Sequence, residues 1–388
     1  MPPPPTHIQA REAFERVASL GSGEVAFEDL TLEEGPGRIL GEGAEGTVFK
    51  AFLRVGEKME PVALKTVKPG DPGATARLLQ EAGLLAKLVH GGIVHCIGTC
   101  RSSGAGKFYL VLEFCPLGDL GGATKLFSGG ADPAAQAQHA TRLLGVLGGN
   151  PAGFSGAALV DRARRRLSEK LGGELGRGAN EAFYRVAVDS AKAVEYMHDQ
   201  GMYHGDLKPE NWLLDGRGRV RLTDFGLARQ ATGATVVSVV GGGGGGAGIR
   251  GTPSYMSPEA FAGNSSTAKS DMFSLACVFF VVLTGVTPFA TLGIFAIKEA
   301  VVDRGERPAL PADAPPGLVK LVKRTWDADP ARRPTALDFR HELHSLQKGG
   351  PGRRRSLAPA SEEGSLRALL KQQSLEGFEE RLEEQGFV

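Results

Sequence analysis

Apolar positions fall into two regimes along the chain. From Leu32 they alternate with polar ones, and short runs around Arg38–Leu40, Thr47–Leu53 and Val62–Thr66 predict strands separated by glycine-rich or charged turns. Leu78 to Val89 carries apolar residues at helical spacing, and Phe108 to Phe114 reads as a buried strand. Glu181 to His198 is a well-patterned helix, and helical, mostly apolar segments dominate from Ser270 to Leu346. Between the regimes, Gly121 to Gly178 is rich in Gly and Ala and shows no sustained apolar period, so it reads as an insertion with at most one or two weak helices. Ile8, Phe14 and Val17 share one side of a short helical pattern behind the Pro-rich start. A glycine run, Gly241 through Gly246, has the composition of a linker. A basic stretch, Arg353–Arg355, precedes a short amphipathic tail.

The apolar run Met272–Leu283 is too short to cross a bilayer and predicts a buried helix. The chain has 388 residues, 41% of them hydrophobic, enough for a sizeable core. Lys and Arg total 45 against 44 Asp and Glu, and this balance gives no reason to expect nucleic acid or a membrane surface as a partner. Cys96, Cys100, Cys115 and Cys277 form no CxxC pair, which points away from a disulfide scaffold or zinc site and towards a reducing, cytoplasmic setting. The start has no apolar core of a signal peptide.

The candidate chemistry begins at Gly41-Glu42-Gly43-Ala44-Glu45-Gly46-Thr47-Val48. Glycines between two strands let backbone N–H groups approach phosphate oxygens. The loop alone is equally a glycine-rich hairpin, since neither the helix of a dinucleotide fold nor Gly-Lys-Ser/Thr follows. Lys65 lies on an alternating strand and can point a cation back under the loop, and Glu81 on the next helix can hold that cation in place. Further on, His204-Gly205-Asp206-Leu207-Lys208-Pro209-Glu210-Asn211 presents the oxygens of Asp206 and Asn211 on one loop. Asp224-Phe225-Gly226 adds a carboxylate on a tight turn. Hard Mg²⁺ ions take such oxygens together with phosphate. In this order the parts match phosphoryl transfer.

The motifs GEGAEGTV, VALK, HGDLKPEN, DFG and SPE (Ser257-Pro258-Glu259), with Asp271-Met272-Phe273-Ser274 and Arg332-Arg333-Pro334, closely resemble the signature set of eukaryotic protein kinases. The resemblance implies a two-lobed α+β fold over 32–348: a small antiparallel sheet lobe and a large helical lobe, interrupted by the 121–178 insertion. Residues 1–31 would be an N-terminal extension, and 349–388 a linker and tail. It implies ATP and Mg²⁺ as cofactors and protein Ser/Thr hydroxyls as acceptors. Asp206 would be the catalytic base, with Lys208 on the γ-phosphate and Lys65 on the α- and β-phosphates, paired with Glu81. Asn211 and Asp224 would hold the metal. Leu40, Gly41, Gly43, Gly46, Val48, Ala63, Lys65, Glu113, Cys115 and Leu213 would bind the nucleotide, with Leu112 guarding the back pocket. Glu259 and Arg333 would form a buried ion pair, and Asp271 would be a further structural residue. Lys208 and Gly251-Thr252-Pro253-Ser254-Tyr255 look like the Ser/Thr class. Phe27-Glu28-Asp29-Leu30 and Ile93–Cys100 resemble the tyrosine-kinase-like, Raf-related group.

Gly205 departs from the pattern, standing where the family carries an arginine that pairs with a phosphorylated activation loop. That arginine's charge-assisted bond is therefore missing, and activity is expected to depend less on phosphorylation of Thr232, Thr235 or Ser238. Arg229 is a partial substitute. The HGD tripeptide also occurs in kinases resembling aminoglycoside or choline phosphotransferases, which generally lack the DFG-to-SPE segment present here. A non-catalytic pseudokinase usually loses the equivalents of Lys65, Asp206 or Asp224, and all three are present. The segments Leu366–Leu370, Leu375–Phe378 and Leu382–Phe387 resemble the first two helices of a sterile alpha motif domain, a possible route to oligomerisation. The bland reading is an amphipathic helix docked on the kinase.

Overall fold

The computed structural model describes residues 23–35, 38–43, 46–68, 73–102, 107–127, 133–146, 156–176, 178–230, 251–263 and 267–348. The helical pattern around Phe14, the sites Thr232, Thr235 and Ser238, the glycine run and the tail from 349 lie outside the described residues. Contacts divide the chain into a unit Met1–Leu346, to which the following refers, and a unit Gln347–Val388.

The first lobe is built on a sheet whose strands are β1 (Gly23–Glu24), β2 (Leu30–Leu32), β3 (Ile39–Glu42), β4 (Gly46–Val55), β5 (Lys58–Val67), β6 (Cys96–Arg101) and β7 (Phe108–Glu113). The order is β1-β6-β7-β5-β4-β2, with β3 also on β4. All pairs are antiparallel except β1 with β6. Successive strand residues point to opposite faces, so both faces acquire a core. Val62, Leu64 and Val111 pack on one face with Ala51, Leu53, Ile97 and Cys100. Ala63, Leu110 and Leu112 pack on the other against Leu78, Ala82 and Leu85 of helix α1 (Ala74–Leu85). That helix begins and ends about a turn before the expected Leu78–Val89. Leu88 is apolar because it is buried in the loop that follows, where its N–H bonds back to Leu85 O at 3.0 Å.

The second lobe is mostly helical. Helix α5 (Glu181–Asp199) starts at Asn180, whose side chain accepts the Phe183 N–H at 3.0 Å. Helix α7 (Ala268–Thr284) is buried almost all round, as its unbroken apolar run requires, and Thr267 caps its start. Between them in sequence lie the hairpin β9 (Trp212–Leu214) and β10 (Val220–Leu222), and the pair β8 (Met202–Tyr203) and β11 (Arg229–Gln230). Ala260 and Phe261 of helix α6 (Pro258–Phe261), Ile297 of α8 (Ile294–Lys298), Leu318 and Leu321 of α9 (Pro316–Thr325) and Phe339 and Leu343 of α10 (Ala336–Lys348) pack on the same core.

The Gly/Ala-rich stretch differs from its expectation. Its described residues hold three helices, α2 (Leu120–Phe127), α3 (Pro133–Val146) and α4 (Gly156–Leu171). Leu159, Ala163, Leu167 and Leu171 recur every four residues along α4 and are buried in the main core with Leu143 and Leu144. The seam was hidden because Ala, Gly and Arg dilute its mean hydropathy, while its period is regular. Of the basic cluster Arg162–Arg166, Arg164 reaches across to donate to the Leu126 carbonyl near the end of α2. Among the described residues, no helix is long and apolar enough to cross a membrane.

Candidate active site

The glycine hairpin joins β3 to β4, closed by Gly43 N–H donating to Gly46 O at 2.9 Å. A Cβ on Gly46 would lie 1.8 Å from the Thr66 carbonyl oxygen, so only glycine lets these strands approach. A Cβ on Gly41 or Gly43 would meet nothing within 4 Å, so there is open space at both positions. Leu40, Val48 and Leu213 are partly buried against the large core cluster that also holds Ala63, Leu112 and Cys115, and Ala63 faces Leu112 across β5 and β7.

Lys65 sits on β5 directly opposite Val48 and Leu110. Its Nζ lies 2.8 Å from both Glu81 oxygens and 2.7 Å from Asp224 Oδ1. Glu81 Oε1 also accepts the Phe225 N–H at 3.2 Å, which ties α1 to the Asp-Phe-Gly turn. Asp224 holds φ 65 and ψ 69, the left-handed region that Asp tolerates better than most residues. Burial works to lower the Lys65 pKa, but Glu81 and Asp224 outweigh it and hold the ammonium well above the usual lysine range. Burial likewise works to raise the Asp224 pKa, and Lys65 overrides it, so this carboxyl stays ionised below its ordinary range.

The second cluster is braced by Asp271 at the start of α7. Its carboxylate accepts the His204 N–H at 2.8 Å and the Gly205 N–H at 2.9 Å, and lies 3.0 Å from His198 Nε2. Gly205 has φ +79, a conformation most side chains disfavour. His204 is fully buried; its Nε2 lies 3.0 Å from Thr223 O and its ring packs on Phe225 at 5.1 Å. Asp206 is thereby presented with Oδ2 2.6 Å from Lys208 Nζ and Oδ1 accepting the Thr252 N–H at 2.8 Å. Asn211 donates its amide to Asp206 O at 2.8 Å, which leaves the amide oxygen on the other branch. Thr223, the residue before Asp224, donates its N–H to Asn211 O at 3.0 Å and its carbonyl lies 3.0 Å from His204 Nε2, so the two clusters adjoin.

Asn211 and Asp224 supply hard oxygens suited to Mg²⁺. Among the described residues no group of three or more His, Cys, Asp or Glu is placed to hold a metal alone. A cation here would take further oxygens from phosphate or water, as Mg²⁺ commonly does.

At Glu113–Cys115, the hinge where the chain passes from the first lobe to the second, Glu113 N–H donates to His95 O at 2.9 Å. The chain beyond is tied to β9 by Leu117 N–H to Leu214 O (3.1 Å) and Leu214 N–H to Gly118 O (2.7 Å). Cys115 is buried, and burial pushes its thiol well above the usual cysteine range, so it is inert as a nucleophile. Farther off, Arg333 and Glu259 form a two-pronged pair at 2.7 and 2.9 Å. Arg333 also donates to the carbonyls of Asp327 and Lys269, both at 2.8 Å, and lies over the Phe273 ring.

Two contributions escaped the sequence reading. Thr252 contacts both Asp206 and Lys208, although its Gly-Thr-Pro context was visible. Arg221 is buried behind the hinge, and its only signal was a charge between two apolar strand residues.

A family model described as protein tyrosine and serine/threonine kinase matches residues 36–343. Among curated proteins, the chain is 34% identical over 168 residues to the serine/threonine/tyrosine-protein kinase HT1 of Arabidopsis thaliana, covering 43% of this chain and 40% of that protein. It is 32% identical over 166 residues to the serine/threonine-protein kinase STY17 of the same plant, 43% and 28% of the two chains. With the dual specificity protein kinase shkA of Dictyostelium discoideum it shares 26% over 343 residues, 87% of this chain and 53% of that one. The chain thus spans about half or less of the length of these relatives. With most of its length matched by that model, the chain belongs to the protein tyrosine and serine/threonine kinase family.

Proposed function

We propose that this chain is an ATP-dependent protein kinase that transfers the γ-phosphoryl group to Ser or Thr hydroxyls of proteins. The kinase unit runs over 32–348. The observation that carries the reading is the convergence of Lys65 with Glu81 and Asp224, next to Asp206 held by Lys208 and Thr252. The acceptor hydroxyl oxygen attacks the γ-phosphorus. Its bond to phosphorus forms as the bond to the β,γ-bridging oxygen breaks, ADP leaves with that electron pair, and the hydroxyl proton passes to Asp206. Lys65, kept cationic by its two carboxylates, binds the α- and β-phosphates, and Lys208 faces the γ-phosphate. Mg²⁺ on Asn211 and Asp224 supplies further neutralisation of phosphate charge when bound. Leu40, Val48, Ala63 and Leu213 sandwich adenine against the backbone of Glu113 and Cys115. The four cysteines are all unpaired thiols, which suits a reducing compartment such as the cytoplasm.

The test is phosphate transfer from Mg·ATP to a generic basic protein, run beside an amino sugar, for wild type and Asp206→Asn. Transfer to protein that disappears in the variant supports the reading. Transfer to the amino sugar alone identifies a small-molecule kinase, and equal signal from both proteins identifies a non-catalytic module. Phosphoamino-acid analysis decides between Ser/Thr and Tyr, since the names of two relatives include tyrosine or dual specificity.

A further inference from the structure

We propose that Arg221 is a positioning residue for the adenine end of the nucleotide, a single buried guanidinium that fixes the hinge to the floor of the adenine slot. This rests on the ATP reading just given. Arg221 lies on β10 between Val220 and Leu222 and is only 2% exposed. A guanidinium taken so completely out of water is tolerated only where partners surround it.

Its partners come from three separate segments. Nη1 donates to the Gly91 carbonyl in the loop after α1. Nη2 donates to Asp215 Oδ2 at 3.0 Å, in the turn between β9 and β10. Nε stands 3.6 Å from Glu113 Oε1 at the hinge.

Both carboxylate partners are themselves anchored. Glu113 is tied to His95 twice, by its own N–H to His95 O at 2.9 Å and by Oε2 accepting the His95 N–H at 3.1 Å. Asp215 Oδ1 accepts the N–H groups of Arg217 and Arg219 at 2.8 and 3.0 Å, and the Arg219 side chain reaches Oδ2 at 3.1 Å. Burial pushes the Glu113 carboxyl up while Arg221 pulls it down; the Asp215 carboxyl, despite its burial, is held below its ordinary range by backbone N–H groups and Arg221.

The residue directly across the ladder from Arg221 is Leu213, the expected floor under adenine. Leu214, the next residue, exchanges hydrogen bonds with the chain leaving the hinge. One side chain therefore ties the hinge, which the edge of the base meets, to the strand that carries the floor beneath it, and small errors in such spacing are costly. Lysine, a point charge, cannot reproduce a three-way fork.

The experiment measures the affinities of adenosine, Mg·ATP and magnesium tripolyphosphate for wild type, Arg221→Gln, Glu113→Gln and the double variant, with melting curves for each. For Arg221→Gln, adenosine and Mg·ATP should weaken in parallel by about tenfold, while tripolyphosphate is unchanged. The double variant should lose less than the sum of the singles, because neither buried charge is then left alone. Should Arg221→Gln fail to fold, Arg221→Lys takes its place, with the same selective loss expected. Unchanged adenosine affinity in a folded variant overturns the proposal. So does an equal loss for all three ligands, which is the mark of general destabilisation. A wild type that binds neither adenosine nor Mg·ATP overturns the kinase reading itself, and this proposal with it.

Discussion

Thr252 holds Asp206 with its backbone and Lys208 with its side chain: its N–H donates to Asp206 Oδ1 at 2.8 Å, and its Oγ1 accepts from Lys208 Nζ at 3.1 Å. Thr252→Ala removes only the second contact. Asp206→Asn, which removes the general base, should slow phosphate transfer by about 10²–10⁴-fold. Thr252→Ala should cost about tenfold, the loss of one modest hydrogen bond, and Thr252→Ser should restore most of it. Steady-state kcat for the three variants checks this, and a loss in Thr252→Ala equal to that in Asp206→Asn would be incompatible with it.

Lys65→Met takes away the cation shared by Glu81 and Asp224. Transfer should fall by about 10²–10³-fold, the usual scale for removing one charge-stabilising donor. Because Glu81 is 3% exposed and loses its ammonium, the melting temperature should fall as well. Lys65→Met/Glu81→Gln should recover stability without recovering activity, read by thermal melts beside the transfer assay.

Glu259 carries a pH signature. Burial works to raise its pKa, but the bonds from Arg333 outweigh that and hold it below the ordinary 4.5. A carboxyl whose folded pKa lies below its unfolded one contributes stability that is complete above the unfolded value and fades as pH falls through the folded one. Glu259→Gln should therefore melt below wild type near neutrality, and the gap should narrow once pH drops under 4.5. Arg333→Met, which strands a partly buried carboxylate, should cost about 3–5 kcal/mol at neutral pH. Melts from about pH 7 to about pH 3 check both.

Gly205 offers only a backbone N–H, to Asp271, at the place where the resemblance implies an arginine. Replacing Thr232, Thr235 and Ser238 together by Ala should leave transfer within a few-fold of wild type. Abolished activity in that triple variant, measured alongside phosphate incorporation, would show that loop phosphorylation is required after all.

The residues of the candidate site were legible in the sequence because their spacing is fixed by local geometry. Lys65 must alternate along a strand, and Asp206 and Asn211 must share one loop. The helix Glu181–Asp199 announced itself through its apolar period and the Asn180 cap. The contacts of Thr252 and Arg221 were not legible, since they span 46 residues to Asp206 and 130 to Gly91, and no local pattern encodes such a meeting. The helices α3 and α4 were hidden for another reason: their buried leucines stand among Ala, Gly and Arg, and the mean of the segment concealed its period.

Those same helices limit how the protein can be shortened. Leu143, Leu144, Leu159, Val160 and Leu167 share a continuous apolar interior with Leu126, Phe127 and Phe183. Excising the glycine-rich stretch to obtain a minimal catalytic fragment would expose that interior to water, and the product should clump rather than behave as a trimmed enzyme. Protein engineers should treat the segment as a wall of the second lobe.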